Sequence, residues 1–380
     1  MIIFCALSLS SWLYILFGRA AFWRVTQSEL CEAPSLRGQT HVVAIVPARN
    51  EAAVIGRAIQ SLLKQQLDPK LRVIVVDDAS EDGTGAAARE AAGAVGELEN
   101  LTVLKGQPLL SGWTGKLWAL SQGVELALAL NPDYLLFTDA DIVHGPGSVQ
   151  SLVNTAVRYR CDLASVMVKL ACESFAEKAL IPAFVFFFLQ LYPPAWIKSR
   201  TRKTAGAAGG CLVIRPQALA RIGGLSAIRD AVIDDCTLAK AVKRAGGQIW
   251  MGLTAGTSSI RSYQGFFDIG RMISRTAFSQ LNHSVLLLIG TVVALLTVYV
   301  VPVAAVFEHK PGSMALGGAA WMAMTLCYAP TIRFYKQSWL WSLALPAIAV
   351  FYIGATLHSA IRYWTGKGGQ WKGRLQDARL

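Results

Sequence analysis

The hydrophobic pattern of this chain changes between its middle and its two ends. In the middle, short apolar runs with the length of buried strands alternate with segments of helical periodicity; these runs are 42–47, 73–77, 134–138, 163–168 and 211–215. After the first run, apolar residues recur at helical spacing: Val54, Ile55, Ala58, Ile59, Leu62 and Leu63. This alternation predicts an α/β fold with a mostly parallel sheet and helices on both faces.

Longer apolar runs lie near the two ends. The first covers residues 2–17, and three more cover 285–307, 314–330 and 338–361, all without Asp, Glu, Lys or Arg. Their lengths predict an N-terminal transmembrane anchor over 1–18 and transmembrane segments over 285–361. No basic stretch precedes the first run and no small-residue cleavage site follows it, so we expect an uncleaved anchor rather than a signal peptide.

Composition and charge add a location to this pattern. With 53% hydrophobic and 16% charged residues among 380, and a mean hydropathy of +0.41, the chain is too apolar for a soluble protein. Because Lys and Arg accumulate on the cytoplasmic side, Arg19 and Arg24 predict that the domain over 40–284 is cytoplasmic. The tail over 362–380 is basic as well, which predicts a cytoplasmic C-terminus. Four spans would place that tail outside, so we expect the weakest run, 314–330, to be re-entrant or not to cross.

Several classes of protein are disfavoured. A net charge of +12 suits an anionic membrane surface, and no nucleic-acid-binding motif accompanies it. Within the apolar runs His358 is the one ionisable side chain of the kind that transporters use, which argues against a transporter or channel. The seven cysteines are odd in number and form no Cys-x-x-Cys pair, as expected of a reduced compartment without a disulfide framework or a zinc site.

One further apolar run lies inside the middle domain. Residues 179–197 are interrupted by Pro182, Gln190, Pro193 and Pro194 and are flanked by Lys178 and a basic cluster at 198–203. The run is either a core helix or an interfacial helix that lies in the headgroup region, with the basic loop at 198–203 meeting anionic lipid. We therefore assign 178–203 to an interfacial helix and basic loop while leaving the core helix open.

Polar residues follow three of the predicted strands at the point where each strand ends. Arg49, Asn50 and Glu51 follow the first, Asp77 and Asp78 close the second, and Asp139 and Asp141 follow the third. One such residue alone indicates a turn or a helix cap, and Asp78 with the residues after it also fits a cap. Ligands of parallel α/β sheets bind at the carboxyl ends of the strands, so three such ends together predict a binding site.

The two carboxylates Asp139 and Asp141 suggest a metal. At i and i+2 on a rim they offer oxygens to one hard divalent cation, manganese or magnesium, which would neutralise the diphosphate of a nucleotide. Lys116 in "GWTGKLWAL" adds a cation at a predicted helix start, the alternative being a solvated lysine. His144 could add a ligand, although a solvated loop histidine is the simpler interpretation.

Six blocks in order carry a family resemblance: "VPARNE", "VVDDAS", "GWTGK", "FTDADIVH", "AGAAGGCLVIRPQAL" and "VIDDCTLAKAVKRAGGQI". Over residues 46–249 the chain resembles the inverting glycosyltransferases of family 2, which have the GT-A fold. With "RTAFSQLNHS" and "QWKGR" added, it is similar to the membrane-bound hopene-associated glycosyltransferases of hopanoid-producing bacteria. The resemblance implies a multi-pass protein of the bacterial inner membrane that moves a sugar from a nucleotide-diphosphate donor to a membrane lipid such as a hopanoid.

The resemblance also implies roles for individual residues. The nucleotide pocket would be lined by Pro47, Ala48, Arg49 and Glu51, with Asp78 contacting the base and Lys116 near the diphosphate. Asp139 and Asp141 occupy the place of the DxD motif of the family, with Asp141 as the more direct metal ligand. Gly209 and Gly210 match the small-residue loop under the acceptor, and Asp234 and Asp235 match the Glu-Asp pair whose second carboxylate is the base.

One departure from the family pattern bears on the product. Processive members carry Gln-x-x-Arg-Trp before the C-terminal spans, whereas Met272–Thr276 keeps Arg275, a donor-side residue, and lacks both the Gln and the Trp. Thr276 cannot offer an aromatic platform to a growing sugar chain. A single transfer is therefore favoured over a processive polysaccharide synthase. A polyprenyl-phosphate sugar transferase and a non-catalytic sugar-nucleotide sensor stay open as alternatives.

Asp235 is the candidate general base, because inverting transfer needs a carboxylate on the acceptor side. The apolar run that ends at Ile233 and the helical spacing after it put Asp234 and Asp235 at a helix start. The alternative is that the two form an N-cap pair, a common role of Asp at that position.

Overall fold

The computed structural model describes residues 1–25 and 40–375 of the chain. Cys31 and the tail residues 376–380, including Asp377 and Arg379, lie outside the described residues. Contacts divide the described chain into two compact units. We call the first, residues 40–171, 196–261 and 370–375, the sheet unit. We call the second, residues 1–25, 172–195 and 262–369, the helical unit.

An eight-stranded mixed sheet forms the centre of the sheet unit. Its strands are β1 (Val42–Ala48), β2 (Arg72–Asp77), β3 (Leu101–Lys105), β4 (Tyr134–Thr138), β5 (Ile142–His144), β6 (Leu163–Lys169), β7 (Cys211–Ile214) and β8 (Ile249–Ser259). The spatial order is β3-β2-β1-β4-β7-β6-β8-β5. Strands β3, β2, β1 and β4 are mutually parallel, as are β6 and β8, whereas β7 and β5 pair antiparallel with their neighbours. The predicted mostly parallel α/β sheet is confirmed.

The helices are α1 (Ile2–Gly18), α2 (Ala52–Leu63), α3 (Thr84–Gly93), α4 (Gly115–Leu128), α5 (Ser148–Arg158), α6 (Phe175–Leu191), α7 (Pro194–Lys198), α8 (Pro216–Arg221), α9 (Asp234–Arg244), α10 (Phe266–Ser274), α11 (Ala277–Gln280), α12 (Val285–Leu295), α13 (Val301–Val306), α14 (Pro311–Phe334) and α15 (Leu345–Trp364). Short 3₁₀ or π-helical segments join some of them, notably Leu296–Val300 between α12 and α13 and Trp339–Ala344 before α15.

The five predicted strands all form, within one or two residues of their predicted limits. Strands β3, β5 and β8 were not predicted, because β3 is only half buried, β5 has three residues, and β8 mixes Gly and Thr into its apolar run. The pattern does not reveal that β7 runs antiparallel, since strand direction depends on the path of the chain between strands.

Packing on both faces of β1 explains why this strand is apolar throughout. Its seven residues are buried. Val42, Ala44 and Val46 belong to the same core cluster as the apolar face of α2. On the other face, Gly123 brings α4 so close that a Cβ there would lie 2.4 Å from Cγ2 of Ile45. The predicted helical face is confirmed by α2, in which Ile55, Ala58, Ile59, Leu62 and Leu63 are buried.

The helical unit contains the apolar runs. Three of its helical stretches are long and apolar enough to cross a membrane, namely Phe175–Lys198, Val285–Val306 and Trp339–Trp364. The predicted run 2–17 forms α1, and 314–330 forms the middle of α14, a continuous helix of 24 residues that Pro330 does not interrupt. Within the run 179–197, α6 starts with a capping box between Ser174 and Glu177, and Pro182 lies inside the helix.

Candidate active site

The carboxyl ends of β1 and β2 are joined by hydrogen bonds. The Asp78 backbone N–H donates to the carbonyl of Ala48 at 2.8 Å. The guanidinium of Arg49 donates to the carbonyls of Asp78 and Ala79, at 2.5 and 3.0 Å. Asp78 itself is buried, with 1% of its surface exposed. Ala48, Arg49 and Asp78, predicted to share the nucleotide pocket, therefore lie together at one edge of the sheet.

The loop between β1 and α2 is cross-linked to the loop after β2. Asn50 donates its backbone N–H to the hydroxyl of Ser80 and accepts a bond on its side-chain oxygen from the N–H of Glu81. Asn50 has a φ of +51°, a left-handed conformation that Asn adopts more readily than most residues. Asp82 accepts from the N–H of Thr84, the first residue of α3, at 3.0 Å, and also from the N–H of Ala52, the first residue of α2, at 2.9 Å. These hydrogen bonds thus hold the two loops together.

Lys116 joins two carboxylates that are far apart in sequence. Its Nζ lies 2.9 Å from Oδ1 of Asp139 and 3.1 Å from Oδ2 of Asp234. Thr114 caps α4 by accepting from the N–H of Leu117, which puts Lys116 in the first turn. Burial alone would lower the pKa of Lys116, but the charges of Asp139 and Asp234 outweigh burial and raise it. With 15% of its side chain exposed, Lys116 is not a solvated surface lysine.

Asp139 and Asp141 face different cations. Burial raises the pKa of Asp139, although the ammonium of Lys116 opposes the rise. Asp141 accepts from the hydroxyl of Ser259 at 2.8 Å and from Nε of Arg261 at 3.1 Å. The same guanidinium reaches Oε1 of Glu51 at 2.5 Å. Arg261 therefore links the predicted metal carboxylate to the predicted nucleotide loop.

The acceptor-side carboxylate lies at the start of α9. Ile233 is the N-cap residue and no side chain caps this helix, so the N-cap interpretation of Asp234 and Asp235 is wrong. Oδ2 of Asp235 accepts from the N–H of Gly209 at 2.7 Å, and Oδ1 accepts from the N–H of Cys236 at 2.6 Å. A Cβ on Gly209 would lie 3.0 Å from Oδ2, so the close approach favours glycine. Burial and then the charge of Asp234 raise the pKa of Asp235 to about 6.

One pocket is lined by some of these groups, although Arg49, Glu51, Asp78 and Asp141 are not among its lining residues. Its polar lining comes from Lys116, Asp139, Gly209, Asp234 and Asp235, and its apolar lining includes Pro47 and several leucines. Gly210 lies next to it, where its carbonyl accepts from the hydroxyl of Thr138. The structure thus places donor-side, metal and acceptor-side candidates around a common space in the sheet unit.

Two predicted residues are not part of this group. Arg275 follows the last residue of α10 in the helical unit, so its donor contact stays a prediction. His144 is neither at the rim nor solvated. It is 4% exposed and its Nε2 lies 3.0 Å from the hydroxyl of Thr138, and burial lowers its pKa to about 4. A buried neutral imidazole bonded to Thr138 supports the strand end rather than a cation.

Sequence reasoning missed two cations of the site, Arg261 and Lys372. Arg261 comes two residues after β8, so recognising that strand would have placed it at an edge of the sheet. Lys372 belongs to the tail, and its Nζ lies 2.9 Å from Oε1 of Glu51. The block "QWKGR" contains Lys372, but nothing in the sequence assigns this lysine to the site.

The residues present fit a divalent cation bound through a diphosphate. Among the residues that the structure describes, no group of three or more His, Cys, Asp or Glu side chains forms a complete metal cage. Magnesium and manganese sites in nucleotide enzymes commonly use one or two carboxylates, with substrate phosphates and water completing the shell. Asp139 and Asp141 supply this number and type of oxygen ligand.

Comparison with known proteins shows what the sheet unit is similar to. Residues 43–223 match the model of the family described as "Glycosyl transferase family 2". Over 123 residues, 32% of this chain, it is 30% identical to the uncharacterized protein MJ1222 of Methanocaldococcus jannaschii, covering 44% of that protein. Over 111 residues it is 34% identical to the 4,4'-diaponeurosporenoate glycosyltransferase of Staphylococcus aureus, covering 26% of that protein. The chain thus spans less than half the length of these relatives.

The solved mannosyltransferase PcManGT of Pyrobaculum calidifontis, in complex with GDP-Man and Mn²⁺, has a similar fold. The TM-score is 0.58 at 18% identity, over 93% of this chain and 98% of that one. The likeness supports the GT-A type of fold predicted from the sequence.

Replacing Lys116 by Met should destabilise the protein, because Asp139 and Asp234 would lose the cation they share. We expect a loss of about 1–2 kcal/mol in the free energy of unfolding after allowing for partial exposure, seen as a lower thermal midpoint in detergent. The loss should shrink toward pH 5, since protonation of carboxyl groups with raised pKa removes uncompensated charge. Lys64→Met, at an exposed position, is the control. Equal midpoints for both variants would contradict the proposed charge balance.

Proposed function

We propose that this protein is an inverting, non-processive glycosyltransferase that moves a sugar from a nucleotide-diphosphate donor to a membrane lipid. The observation that carries the proposal is the pocket in which Lys116, Asp139 and Asp234 lie beside Asp235. It combines a diphosphate-side cation and carboxylate with a second carboxylate suited to take a proton. The match to the family 2 model over 43–223 supports the class of reaction.

The donor site lies along the edge formed by β1, β2 and β4. Arg49, Glu51 and Asp78 would contact the nucleoside, while Lys116 would face the diphosphate. Asp139 and Asp141 would hold a divalent cation, which when bound neutralises the charge that develops on the leaving diphosphate. The solved structure of PcManGT is a complex with GDP-Man and Mn²⁺, which is consistent with this assignment. The similarity of that protein to this chain concerns the fold.

Asp235 would act as the general base. The acceptor hydroxyl gives its proton to the Asp235 carboxylate while the hydroxyl oxygen bonds to the anomeric carbon and the bond from that carbon to the diphosphate oxygen breaks. The N–H groups of Gly209 and Cys236 hold the carboxylate in place. A pKa of about 6 leaves it ionised at neutral pH yet more basic than an ordinary Asp, which favours proton transfer. During this step Lys116 remains the ion-pair partner of both Asp234 and Asp139.

The acceptor we propose is an isoprenoid-type lipid of the membrane, of which a hopanoid is the first candidate. The apolar helices of the helical unit support a membrane location. The relative in Staphylococcus aureus is named for a diaponeurosporenoate acceptor, which supports a lipid. Thr276, where processive members carry Trp, supports a single transfer.

The path of the chain restricts which helices cross the membrane. Residues 171 and 196 both belong to the sheet unit, so the stretch between them must return to the side on which it started. Residues 261 and 370 also both belong to the sheet unit, so the chain between them crosses an even number of times. One crossing by α6, or three crossings by α12–α13, α14 and α15, would break this rule.

The contacts of α15 support the proposal that it is the helix that does not cross. Phe351 packs against Phe266, the N–H of Phe278 donates to the hydroxyl of Ser359 at 3.0 Å, and Tyr363 stacks on His283. In these three pairs the residue numbers of both partners increase together. Helix α15 therefore runs alongside the segment from α10 to the start of α12, in the same direction. That segment begins five residues after the sheet unit ends, and α15 is followed within six residues by the sheet unit.

The proposed spans are then α12–α13, which is the most apolar of the three long stretches, together with α1, a shorter apolar helix of 17 residues, and α14, a helix of 24 residues outside those three stretches. The indole N–H of Trp12 donates to the Val298 carbonyl at 3.0 Å, and a Cβ on Gly317 would lie 2.7 Å from the Pro302 carbonyl. Gly312 lies close to Ile2, so α1 and α14 start at the same end. Arg19 and Lys336 then fall at the opposite, cytoplasmic end. In this proposal the run 314–330 crosses, and 338–361 lies at the interface.

The proposed function predicts incorporation of label into lipid. Full-length protein in membranes is incubated with a panel of radiolabelled UDP-, GDP- and dTDP-sugars, with and without added hopanoid, and the lipids are extracted. We expect one donor to label a lipid only when a divalent cation is present, because the diphosphate needs neutralising. Transfer of label to polyprenyl phosphate would show that the proposed acceptor is wrong. Undiminished transfer in excess chelator would show that no divalent cation is needed. No transfer from any donor would overturn the proposal.

Asp235→Asn should lower turnover by about 10² to 10⁴, since the amide cannot take the proton, and leave the affinity for the nucleotide largely unchanged. Wild-type turnover should fall as the pH drops through about 6, where Asp235 becomes protonated. Asp230→Asn, an exposed change four residues before the pair, is the control. Near-normal turnover of the Asp235 variant would shift the base to Asp234, whose own Asn variant is measured beside it.

The three-span topology is checked with a reporter that is active only in the periplasm. Fusions after His309 should be active, whereas fusions after Gln337 and after Leu380 should be inactive, because each lies on the cytoplasmic side. Activity after Leu380 would show that α15 crosses. Activity after Gln337 would show that α14 does not.

A further inference from the structure

The described chain ends in a small hairpin. Strands β9 (Gln370–Trp371) and β10 (Arg374–Leu375) pair antiparallel, and Lys372 and Gly373 form the turn. Both turn residues have positive φ, +48° and +82°, as a two-residue type I′ hairpin requires. For Lys this left-handed conformation is unfavourable, and residues held in such conformations often serve a site.

The tip of this hairpin lies on the loop between β1 and α2. Nζ of Lys372 is 2.9 Å from Oε1 of Glu51 and donates to the carbonyl of Asn50 at 3.2 Å. The carbonyl of Lys372 accepts from Nε of Arg49 at 3.2 Å. Lys372 thus contacts three consecutive residues of the loop, two through its Nζ and one through its carbonyl. These contacts all lie within the sheet unit.

A row of alternating charges connects the tip to the metal carboxylate. Lys372 pairs with Glu51, Glu51 pairs with Arg261, and Arg261 pairs with Asp141. Glu51 is the shared member, and its side chain is 10% exposed. With Arg49 included, the row has three positive and two negative groups, a balance that suits a diphosphate. Removing Lys372 would leave Glu51 with Arg261 alone and would release the Asn50 carbonyl.

We propose that the C-terminal hairpin is part of the donor site and that Lys372 is a positioning residue, which holds Glu51 and the loop at 49–51 in the geometry that binds the nucleotide diphosphate. The inference rests on the proposed function, since it assigns these residues to donor binding. Lys372 acts on binding through Glu51 and Asn50, so its loss weakens donor affinity and leaves the chemistry at Asp235 intact. The tail following the last helix thereby returns to complete the site that starts at β1.

The test is nucleotide affinity of full-length protein in detergent, measured by titration with UDP and with GDP in the presence of Mn²⁺. Lys372→Ala should weaken binding of the preferred nucleotide about tenfold, the effect of losing one partly exposed charged contact. Lys372→Arg should restore most of the affinity. Lys367→Ala removes the same charge from an exposed position before the hairpin and should bind like wild type. The thermal midpoint should change little in all three, which separates a positioning effect from general destabilisation.

A double-mutant cycle tests the route of action. If Lys372 acts through Glu51, adding Lys372→Ala to Glu51→Gln should cost much less than tenfold, because the partner is already lost. Hydrogen exchange gives a readout that does not depend on activity: amides at 371–375 should exchange more slowly when nucleotide is bound, while those at 365–367 should not change.

The outcomes separate the two proposals. If wild type binds UDP or GDP and Lys372→Ala binds equally well, the hairpin proposal fails and the proposed function stands. If the loss in Lys372→Ala is fully additive with Glu51→Gln, Lys372 does not act through Glu51, and the proposed role of holding Glu51 is overturned. If wild type binds no nucleotide diphosphate, the proposed function fails and the role of the hairpin fails with it.

Discussion

The site depends first on the ammonium of Lys116, which two carboxylates share. Asp139 comes from the end of β4 and Asp234 from the start of α9, about one hundred residues later, and without a cation between them they would repel each other and Asp235. The first turn of α4 presents the lysine, and the Thr114 cap holds that turn. The end of β4 and the first turns of α4 and α9 therefore lie together because one buried positive charge stabilises the two carboxylates.

Around this centre the remaining charges are balanced in the same way. Arg261 joins Asp141 to Glu51, and Lys372 joins Glu51 to the end of the described chain. Asp139, Asp234, Asp141 and Glu51 each have a protein cation beside them, so the site can carry several charges at low exposure. Such a site is organised before the substrate arrives, and the binding of a cation and a diphosphate would exchange charge partners rather than create charge in an apolar region.

The helical unit shows how a folded unit limits membrane topology. Charge counting and span counting disagree on the sequence alone, since four apolar runs place a basic tail on the outside. The three-span topology proposed above would remove the conflict, and two features of the fold support it: the tail packs on the loop at 49–51, and α15 runs beside the segment from α10 to α12. A helix that is apolar and long enough to span a membrane can still lie along other helices, because length and composition do not specify direction.

The sequence by itself determined the class of fold, the five clearest strands, the amphipathic face of α2, the convergence of Asp78, Asp139 and Asp141 on one sheet edge, and the presence of apolar helices at both ends. These features follow from local periodicity and from the rule that parallel strands end at a common edge. The tertiary structure alone decided the partners of the charges, the burial of His144, the direction of β7, and the places of Arg261 and Lys372. An ion pair between Glu51 and a residue more than three hundred positions away leaves no local pattern, since any exposed lysine has the same sequence signature until the fold brings one of them to the carboxylate.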